Sequence, residues 1–382
     1  MDILLVPRLW RKYKYFHYLH KNLTLKTKVK SLLPQLHLSF NAPKLSKQEI
    51  KDGVYFHLQR KKVKYNYADS ICQLLRIYYE LKYRLYYRQF YYLLNRSKPK
   101  CVVVWNGHML PEMAVKRAAQ KLGIIVCVFE VGLLPNTVTV DPKGVNNFNS
   151  VPRKESFYRN YQPFGEKSST ADRQLVVRQF NRRKIAHARQ QGFHLPLPKK
   201  FIFVPFQVRF DSQIILSSPN VGSMYDLYRW IEFTLENTED ENLFFVVKEH
   251  PSDPYKYDTL YNKNPRILFS NRNTQELIEG ADAIITINSS VGLESLMFHR
   301  SVIALGDACY NIEGITQTVS SKEQLVSAIN RLPNWRIDES LVENFLAYLK
   351  NDYCISGSWN QPDKDHVKHI ERRLSDLIGE RV

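Results

Sequence analysis

Two acidic residues lie where the sequence predicts strands to end, and their type suits chemistry at a sugar carbon. Glu130 follows the apolar run IIVCVF, and Asp211 follows the run FIFVPF after a short loop. Two carboxylates can divide the work of glycosyl transfer, because one stabilises or attacks the anomeric carbon while the other handles a proton. Each acid also has a structural alternative as a helix cap or turn residue.

A second group of polar residues follows the other predicted strands and forms the rim of one expected pocket. Its members come after the runs FIFVPF, NLFFVVKE and ADAIITIN, and one of them lies on the helix that follows the last run. The set consists of Gln207, Gln213, His250, Pro251, Ser289, Ser290, Gly292 and Glu294. Polar groups at successive strand exits are typical of a ligand pocket in an α/β sheet.

The serine turn and the histidine suit a phosphate. Backbone N–H groups, two hydroxyls and the positive end of a helix dipole at Ser289–Ser290 would favour an anion. The alternative is plain N-capping of the helix by either serine. His250, fixed by Pro251, would donate to a phosphate or a ribose, and its alternative is a structural histidine.

The elements that must position these residues alternate between strand and helix. CVVVWNG, PEMAVKRAAQKLG and IIVCVFEVG read as strand, helix and strand, and a second alternation begins at FIFVPFQ. Near-continuous apolar strands of this kind predict parallel sheets covered on both faces. We therefore expect an α/β protein with two Rossmann-like domains, whose strand exits face each other across a gap with Asp211 and Glu130 near its middle.

The expected domain limits follow a change in composition. Residues 165–200 are polar and end in a Pro-rich stretch, which indicates a boundary. The sequence predicts an N-terminal domain over 1–195 and a second domain over 196–345. It also predicts C-terminal helices over 346–382 that pack back on the N-terminal domain.

The N-terminal region is basic and helical in its pattern. Residues 1–65 contain 15 Lys or Arg and three acids, and the whole chain carries a net charge of +18. This basic arm is typical of a segment that binds an anionic membrane surface, and the alternative is a solvated face with no partner. Residues 70–95 predict one long tyrosine-rich helix, interpreted as a core helix rather than a base-stacking platform.

Several classes of function are disfavoured. The chain has no Walker pattern and no GxGxxG motif, and its five scattered cysteines indicate neither a disulfide framework nor a zinc site. We expect no metal and no cofactor. Nucleic acid is a disfavoured partner because no RNP-like or KH-like pattern is present. The sequence shows no convincing signal peptide or membrane span, so we expect a cytoplasmic protein, peripheral on the inner membrane if the arm binds lipid.

Four ordered blocks of the sequence form a recognisable set: FEVGLLPNTVTVDPKGVNNFNSVPR, QVRFDSQI, KEHP and INSSVGLESLMFHRSVIALGDACYNIEG. Together these blocks resemble those of the bacterial capsule-synthesis proteins of the KpsS and KpsC type and of the related WbbB-type enzymes of lipopolysaccharide. The first has the pattern E-x-G-x-x-P, then D-x-x-G-V-N, then S-x-P-R. The likeness covers roughly residues 100 to 320.

The resemblance implies a retaining β-Kdo transferase with a GT-B-like arrangement and a CMP-β-Kdo donor. It also implies that the domain over 1–195 is on the acceptor side and that the domain over 196–345 binds the nucleotide sugar. By position, Asp211 resembles the nucleophile, Glu130 the acid/base, and His250 with Ser289 and Ser290 the grip on the CMP phosphate. The first block further implies residues that shape a loop on the acceptor side. These are Gly132, Asp141, Asn146 and Arg153.

The acceptor stays open as a glycan or a glycolipid in capsule or lipopolysaccharide synthesis. The alternative function is a non-catalytic capsule-assembly or export factor that docks on the membrane through its basic arm. In that case Asp211 and Glu130 would be dispensable, whereas charge reversal within residues 8–30 would not be tolerated.

Overall fold

The computed structural model describes residues 2–31, 38–162 and 196–379. The chain forms two compact domains: Met1–Val151 with Asp352–Val382 form the first, and Pro152–Asn351 form the second. The C-terminal segment from Asp352 thus belongs to the first domain. The boundary expected at residue 195 lies at the edge of residues 163–195, outside the described residues.

The first domain is built on a mixed six-stranded sheet. The strands are β1 (Ile3–Val6), β2 (Thr27–Val29), β3 (Cys101–Trp105), β4 (Ile125–Val131), β5 (Thr137–Asp141) and β12 (Ile355–Ser356). Their spatial order is β12-β5-β4-β3-β1-β2, in which β2, β1, β3 and β4 are parallel and β5 is antiparallel to β4 and β12.

Helices cover both faces of this sheet. They are α1 (Trp10–Asn22), α2 (Lys47–Tyr65), α3 (Asp69–Ser97), α4 (Leu110–Lys121) and α12 (Lys364–Ile378). Alternate residues of the central strands point to opposite faces, so that Val102 and Val104 join the core under α2, α3 and α4. Cys101 and Val103 join the core formed with α1 and α12.

The N-terminal region contributes to the core of the first domain, in contrast to the expected surface arm. Tyr15, Phe16 and Leu19 of α1 are buried against the sheet. Ile3–Val6 is a fully buried strand paired with both β2 and β3. The basic residues that follow therefore begin from an internal strand of the sheet, next to the edge strand β2. The long tyrosine-rich helix is confirmed as α3, with Tyr83 and Tyr87 in the core.

The second domain has a parallel six-stranded sheet. Its strands are β6 (Ile202–Pro205), β7 (Phe245–Lys248), β8 (Ile267–Phe269), β9 (Ala283–Thr286), β10 (Ser301–Ala304) and β11 (Gln317–Thr318). Their spatial order is β11-β10-β9-β6-β7-β8. Counted along this domain, the order is that of the Rossmann fold, with its topological switch point between β6 and β9. The predicted α/β class with two Rossmann-like domains is confirmed.

Seven helices of the second domain lie within its described residues. They are α5 (Glu155–Arg159), α6 (Ser212–Ser217), α7 (Met224–Asn237), α8 (Thr274–Gly280), α9 (Ser290–Leu296), α10 (Lys322–Arg331) and α11 (Glu339–Tyr348). Six of them, all except α5, are preceded by a capping residue whose side chain accepts a hydrogen bond from a backbone N–H of the first turn. Across the described parts of both domains, no helix is long and apolar enough to cross a membrane.

Candidate functional site

Glu130 lies at the carboxyl end of β4, where three donors hold its carboxylate. Trp105 Nε1 donates to Oε1 over 3.1 Å, and Asn106 Nδ2 donates to Oε2 over 2.7 Å. The backbone N–H of Val131 donates to Oε1 over 2.9 Å. Trp105 and Asn106 end the neighbouring strand β3, so the parallel pairing of β3 with β4 assembles this part of the site.

A lysine from the first turn of α1 completes the surroundings of Glu130. Lys12 is buried, and its Nζ lies 3.2 Å from the ring centroid of Trp105 and 3.0 Å from that of Trp359. An ammonium between two indole faces is stabilised by cation–π attraction. We call Glu130, Lys12, Trp105, Asn106 and Trp359 the Glu130 cluster.

Burial and charge set the protonation of this cluster. Burial raises the pKa of Glu130, and the hydrogen bonds from Asn106 and Val131, the charge of Lys12 and the Trp105 bond partly oppose that rise. Burial lowers the pKa of Lys12 to about 7, against the attraction of Glu130. A carboxyl group with a raised pKa is well matched to proton transfer near neutral pH.

The second domain carries a polar clamp at the switch point of its sheet. Gln207 follows β6 and Asn288 follows β9, and both are buried. Gln207 Nε2 donates to Asn288 Oδ1 over 3.0 Å, and the Asn288 N–H donates back to Gln207 Oε1 over 3.2 Å. Asn288 Nδ2 also donates to the carbonyls of Gln213 and Ser217 on α6. The clamp fixes α6 against the crevice where such sheets bind ligands.

Asp211 is the N-cap of α6. Its Oδ1 accepts hydrogen bonds from the Gln213 N–H over 2.9 Å and from Ser212 Oγ over 3.4 Å. Among the described residues, Oδ2 has no hydrogen-bond donor. Asp211 therefore acts as a helix cap, which was the structural alternative in the sequence analysis. The cap uses Oδ1 and leaves Oδ2 for other chemistry.

The serine turn is a cap supported from behind by a buried tyrosine. Ser289 Oγ accepts from the Val291 N–H over 3.2 Å, and Tyr310 Oη donates to the Ser289 carbonyl over 2.6 Å. A Cβ at Gly292 would lie 2.5 Å from Tyr310 Oη, so the ring occupies the space a side chain would need. Ser290 and Glu294 lie half-buried on α9.

His250 follows β7 in an ordered loop. Its Nδ1 accepts a hydrogen bond from the Ser252 N–H over 3.1 Å, so the neutral ring carries its proton on Nε2. Pro251 is exposed. The loop is anchored by buried Asp253, which accepts from Tyr257 Oη over 3.0 Å and from the Tyr255 N–H over 3.1 Å.

The residues that the sequence analysis placed on the acceptor side lie in different parts of the structure. Gly132 closes the β4–β5 hairpin, where a Cβ would lie 1.8 Å from Thr137 Oγ1. Asn146 adopts a positive φ of 54° at the start of a short 3-10 helix. Arg153 belongs to the second domain and lines an open cavity of about 720 Å³ with Lys154 and neighbouring residues.

Asp141 is fully buried and organises the loop after β5. Its Oδ1 accepts from the N–H groups of Lys143 and Gly144, and its Oδ2 accepts from the N–H and hydroxyl of Ser150. Tyr353 Oη donates to Oδ2 over 2.9 Å, which ties this loop to the C-terminal segment of the same domain. Five donors on one carboxylate indicate a structural role.

The structure thus brings the predicted residues together in two sets. In the second domain, Gln207 and the Gln213 carbonyl meet at Asn288, and Asp211 is joined to them through the Gln213 N–H. Ser289 follows Asn288 in the chain, while Glu130 belongs to the first domain. Sequence reasoning missed Lys12, Trp105, Asn106, Trp359 and Asn288. Asn106 and Asn288 directly follow apolar runs in the sequence. The position after a predicted strand, which selected Glu130, could therefore have indicated them as well. Within the described ranges, no three His, Cys, Asp or Glu side chains are grouped to hold a metal ion.

Comparison with known protein families shows which family this chain belongs to. The family described as capsule polysaccharide biosynthesis protein matches residues 158–359, which is more than half of the sequence. The chain belongs to this family. The resemblance inferred from the four blocks is confirmed, and the matched range contains Asp211, His250 and Ser289 but not Glu130.

Two curated proteins are similar to this chain in sequence, and one solved structure is similar to it in fold. Protein FixF of Sinorhizobium fredii (strain NBRC 101917 / NGR234) is 36% identical over 264 residues, covering 68% of this chain and 61% of FixF. Capsule polysaccharide export protein KpsS of Escherichia coli is 25% identical over 256 residues, covering 53% of this chain and 65% of KpsS. The match thus spans less than two thirds of either relative.

The structural likeness concerns the fold. The β-Kdo 2,7 transferase structure of Thermosulfurimonas dismutans KpsC aligns over 99% of both chains with a TM-score of 0.51 and 17% identity. At this identity the match shows a shared fold, and the chemistry has to be argued from the residues.

Proposed function

We propose that this protein is a retaining glycosyltransferase that transfers β-Kdo from CMP-β-Kdo to a glycan or glycolipid acceptor in capsule or lipopolysaccharide synthesis. The main support for the proposal is the Glu130 cluster. Its half-buried carboxyl group lies at the end of a strand and has a raised pKa. Lys12, which belongs to the same cluster, contacts two tryptophan rings. Family membership and the fold shared with a β-Kdo transferase support the substrate class.

The proposed reaction proceeds in two displacements. Asp211 Oδ2 attacks the anomeric carbon of Kdo, the bond from that carbon to the phosphate oxygen breaks, and CMP leaves with the bonding electron pair. Ionised Glu130 then takes the proton of the acceptor hydroxyl, whose oxygen forms the new glycosidic bond as the aspartate leaves. Two inversions retain the configuration.

The roles proposed around the nucleotide follow from hydrogen-bond capacity. His250 offers Nε2–H as a donor to phosphate, and Ser290 offers a hydroxyl beside the first turn of α9. The Gln207–Asn288 clamp holds the ends of β6 and β9 in register, which positions Asp211 through Gln213. We propose no metal in this reaction.

The test is release of CMP from CMP-β-Kdo by Asp211→Asn. Asparagine caps a helix about as well as aspartate, so this variant keeps the α6 cap and removes the nucleophile. We expect the rate to fall at least about a thousandfold while the Tm stays near that of the wild type. Asp282→Ala, at an exposed aspartate of the same domain, is the control and should keep its rate. Turnover by Asp211→Asn at the wild-type rate would refute the assignment.

A second candidate function is supported by one finding. The similar protein KpsS carries the description of an export protein, which favours a non-catalytic factor in capsule export. This alternative predicts no CMP release by the wild type and full capsule assembly in cells that carry Asp211→Asn. Loss of capsule in those cells would exclude it.

A further inference from the structure

The α2–α3 hairpin is packed into the core at one end only. Buried side chains of α2 lie between Ile50 and Phe56, and those of α3 lie between Tyr83 and Leu94. Of the described side chains from residue 57 to residue 82, none is fully buried. We call this connecting half, residues 57–82, the distal hairpin. Leu58 and Tyr79 still pack against the core, and the other side chains are half-buried or exposed.

An apolar stripe runs along the exposed side of α3. Ile71, Leu74, Tyr78, Leu81 and Leu85 recur at intervals of three and four residues, and with Ile77 they are between 44% and 71% exposed. Side chains at this spacing share one helix face, over a length of roughly 21 Å. The opposite face of α3, with Tyr83 and Phe90, is already buried in the core. A helix that is apolar on both faces requires a second contact.

Cations surround this stripe. Residues 57–88 contain eight Lys or Arg and two acids. Both acids pair with cations of the same hairpin, since Asp69 lies 2.7 Å from Lys62 and Glu80 lies 4.0 Å from Arg76. The surface thus keeps a positive excess. At its tip, the rings of Tyr65 and Tyr67 stack with centroids 5.4 Å apart.

From these observations we propose that the distal hairpin docks on an anionic phospholipid membrane, with the α3 stripe inserted among the lipid headgroups and the flanking cations on the anionic surface. Exposed apolar side chains bordered by Lys and Arg are the chemistry of interfacial helices, and tyrosine favours the interface. A second copy of the chain fits less well, because pairing along the stripe would bring Lys82 and Arg84 of two copies together. This inference goes beyond the transferase reaction and does not depend on it.

The experiment is co-sedimentation of the full chain with vesicles of phosphatidylcholine alone or of equimolar phosphatidylcholine and phosphatidylglycerol. We expect binding to the anionic vesicles and little to the neutral ones. Leu74→Gln/Leu81→Gln should weaken binding at least about tenfold, since each leucine loses its apolar contact. Lys61→Gln/Lys64→Gln should weaken it by a similar factor of about ten. All four positions lie outside the core, so the Tm should change little.

Trp10→Gln is the matched control, because Trp10 is an equally exposed apolar residue on α1. It should bind anionic vesicles as the wild type does, and loss of binding in this variant would assign the membrane contact to the basic arm instead. Unchanged binding by Leu74→Gln/Leu81→Gln would overturn the proposal. So would a dimer in sedimentation equilibrium that this double variant dissociates, since the stripe would then be covered by a second copy.

Discussion

At the scale of single residues, the environment of Glu130 decides its chemistry. Three donors favour its ionised form, and burial opposes them with the larger effect. Lys12 adds a positive charge that is itself destabilised by burial and stabilised by two indole rings. A carboxyl group whose pKa is raised above its ordinary value suits an acid/base role.

Lys12→Met should move the pH dependence of transfer. The lysine charge lowers the pKa of Glu130, so its removal raises that pKa further. The general base must be ionised, and the acidic limb of kcat/KM against pH should therefore move to higher pH. Lys14→Met, at an exposed lysine of the same helix, is the control and should leave the limb in place. A limb that stays in place or moves to lower pH in Lys12→Met would contradict the role given to Lys12.

Glu130 and Asp211 could be predicted as site residues from the sequence. Some of the residues that contact or surround them could not. Glu130 and Asp211 follow apolar runs directly or after a short loop, and strand ends are where α/β sheets bind ligands. Lys12 lies 118 positions before Glu130 in a segment that reads as a basic arm. Trp359 comes from the C-terminal segment. Only tertiary packing brings these two side chains to β4.

At the scale of secondary-structure elements, the α9 turn depends on a close packing of glycine against tyrosine. Tyr310 is buried, donates to the Ser289 carbonyl and fills the space beside Gly292. The start of α9 is thereby fixed at the carboxyl end of β9. The same support places the Ser290 hydroxyl that we assign to the nucleotide phosphate.

Gly292→Ala should destabilise the second domain. The new methyl group would lie 2.5 Å from Tyr310 Oη, and overpacking of this kind costs about 1–3 kcal/mol. The expected fall in Tm is about 2–4 °C for each kcal/mol in a domain of this size. The stabilisation of the protein by added CMP should also decrease. Gly222→Ala is the control, since its nearest neighbour would be Asp226 Oδ2 at 3.6 Å. Equal melting of the two variants would show that the Tyr310 contact is not tight.

Six of the twelve strands in the described residues could be predicted from their apolar runs, and two of the six that were missed have clear physical reasons. Ile3–Val6 is only four residues long and precedes a proline and a basic run, so its apolar character reads as part of the arm. Thr137–Asp141 follows the Gly132–Asn136 turn, and its pairing with β4 is antiparallel in a region where the pattern favoured parallel strands. Both strands are fixed by neighbours in the sheet rather than by their own pattern.

At the scale of the whole molecule, the proposed reaction uses one carboxylate from each Rossmann-like domain. The family match covers residues 158–359 and so includes Asp211 but not Glu130. The assignment of Glu130 therefore depends on its local geometry in the first domain. The roles of Asp211 and Glu130 are therefore supported by separate observations. A measurement that involves both residues tests the proposed two-step reaction directly.

That measurement is intact-protein mass spectrometry of Glu130→Gln after mixing with CMP-β-Kdo. Without the base, the second displacement should slow, and the protein should gain the mass of one Kdo residue on the peptide that contains Asp211. The double variant Asp211→Asn/Glu130→Gln should gain none. An adduct that persists in the double variant, or one mapped to a peptide without Asp211, would contradict the double-displacement mechanism proposed for this protein.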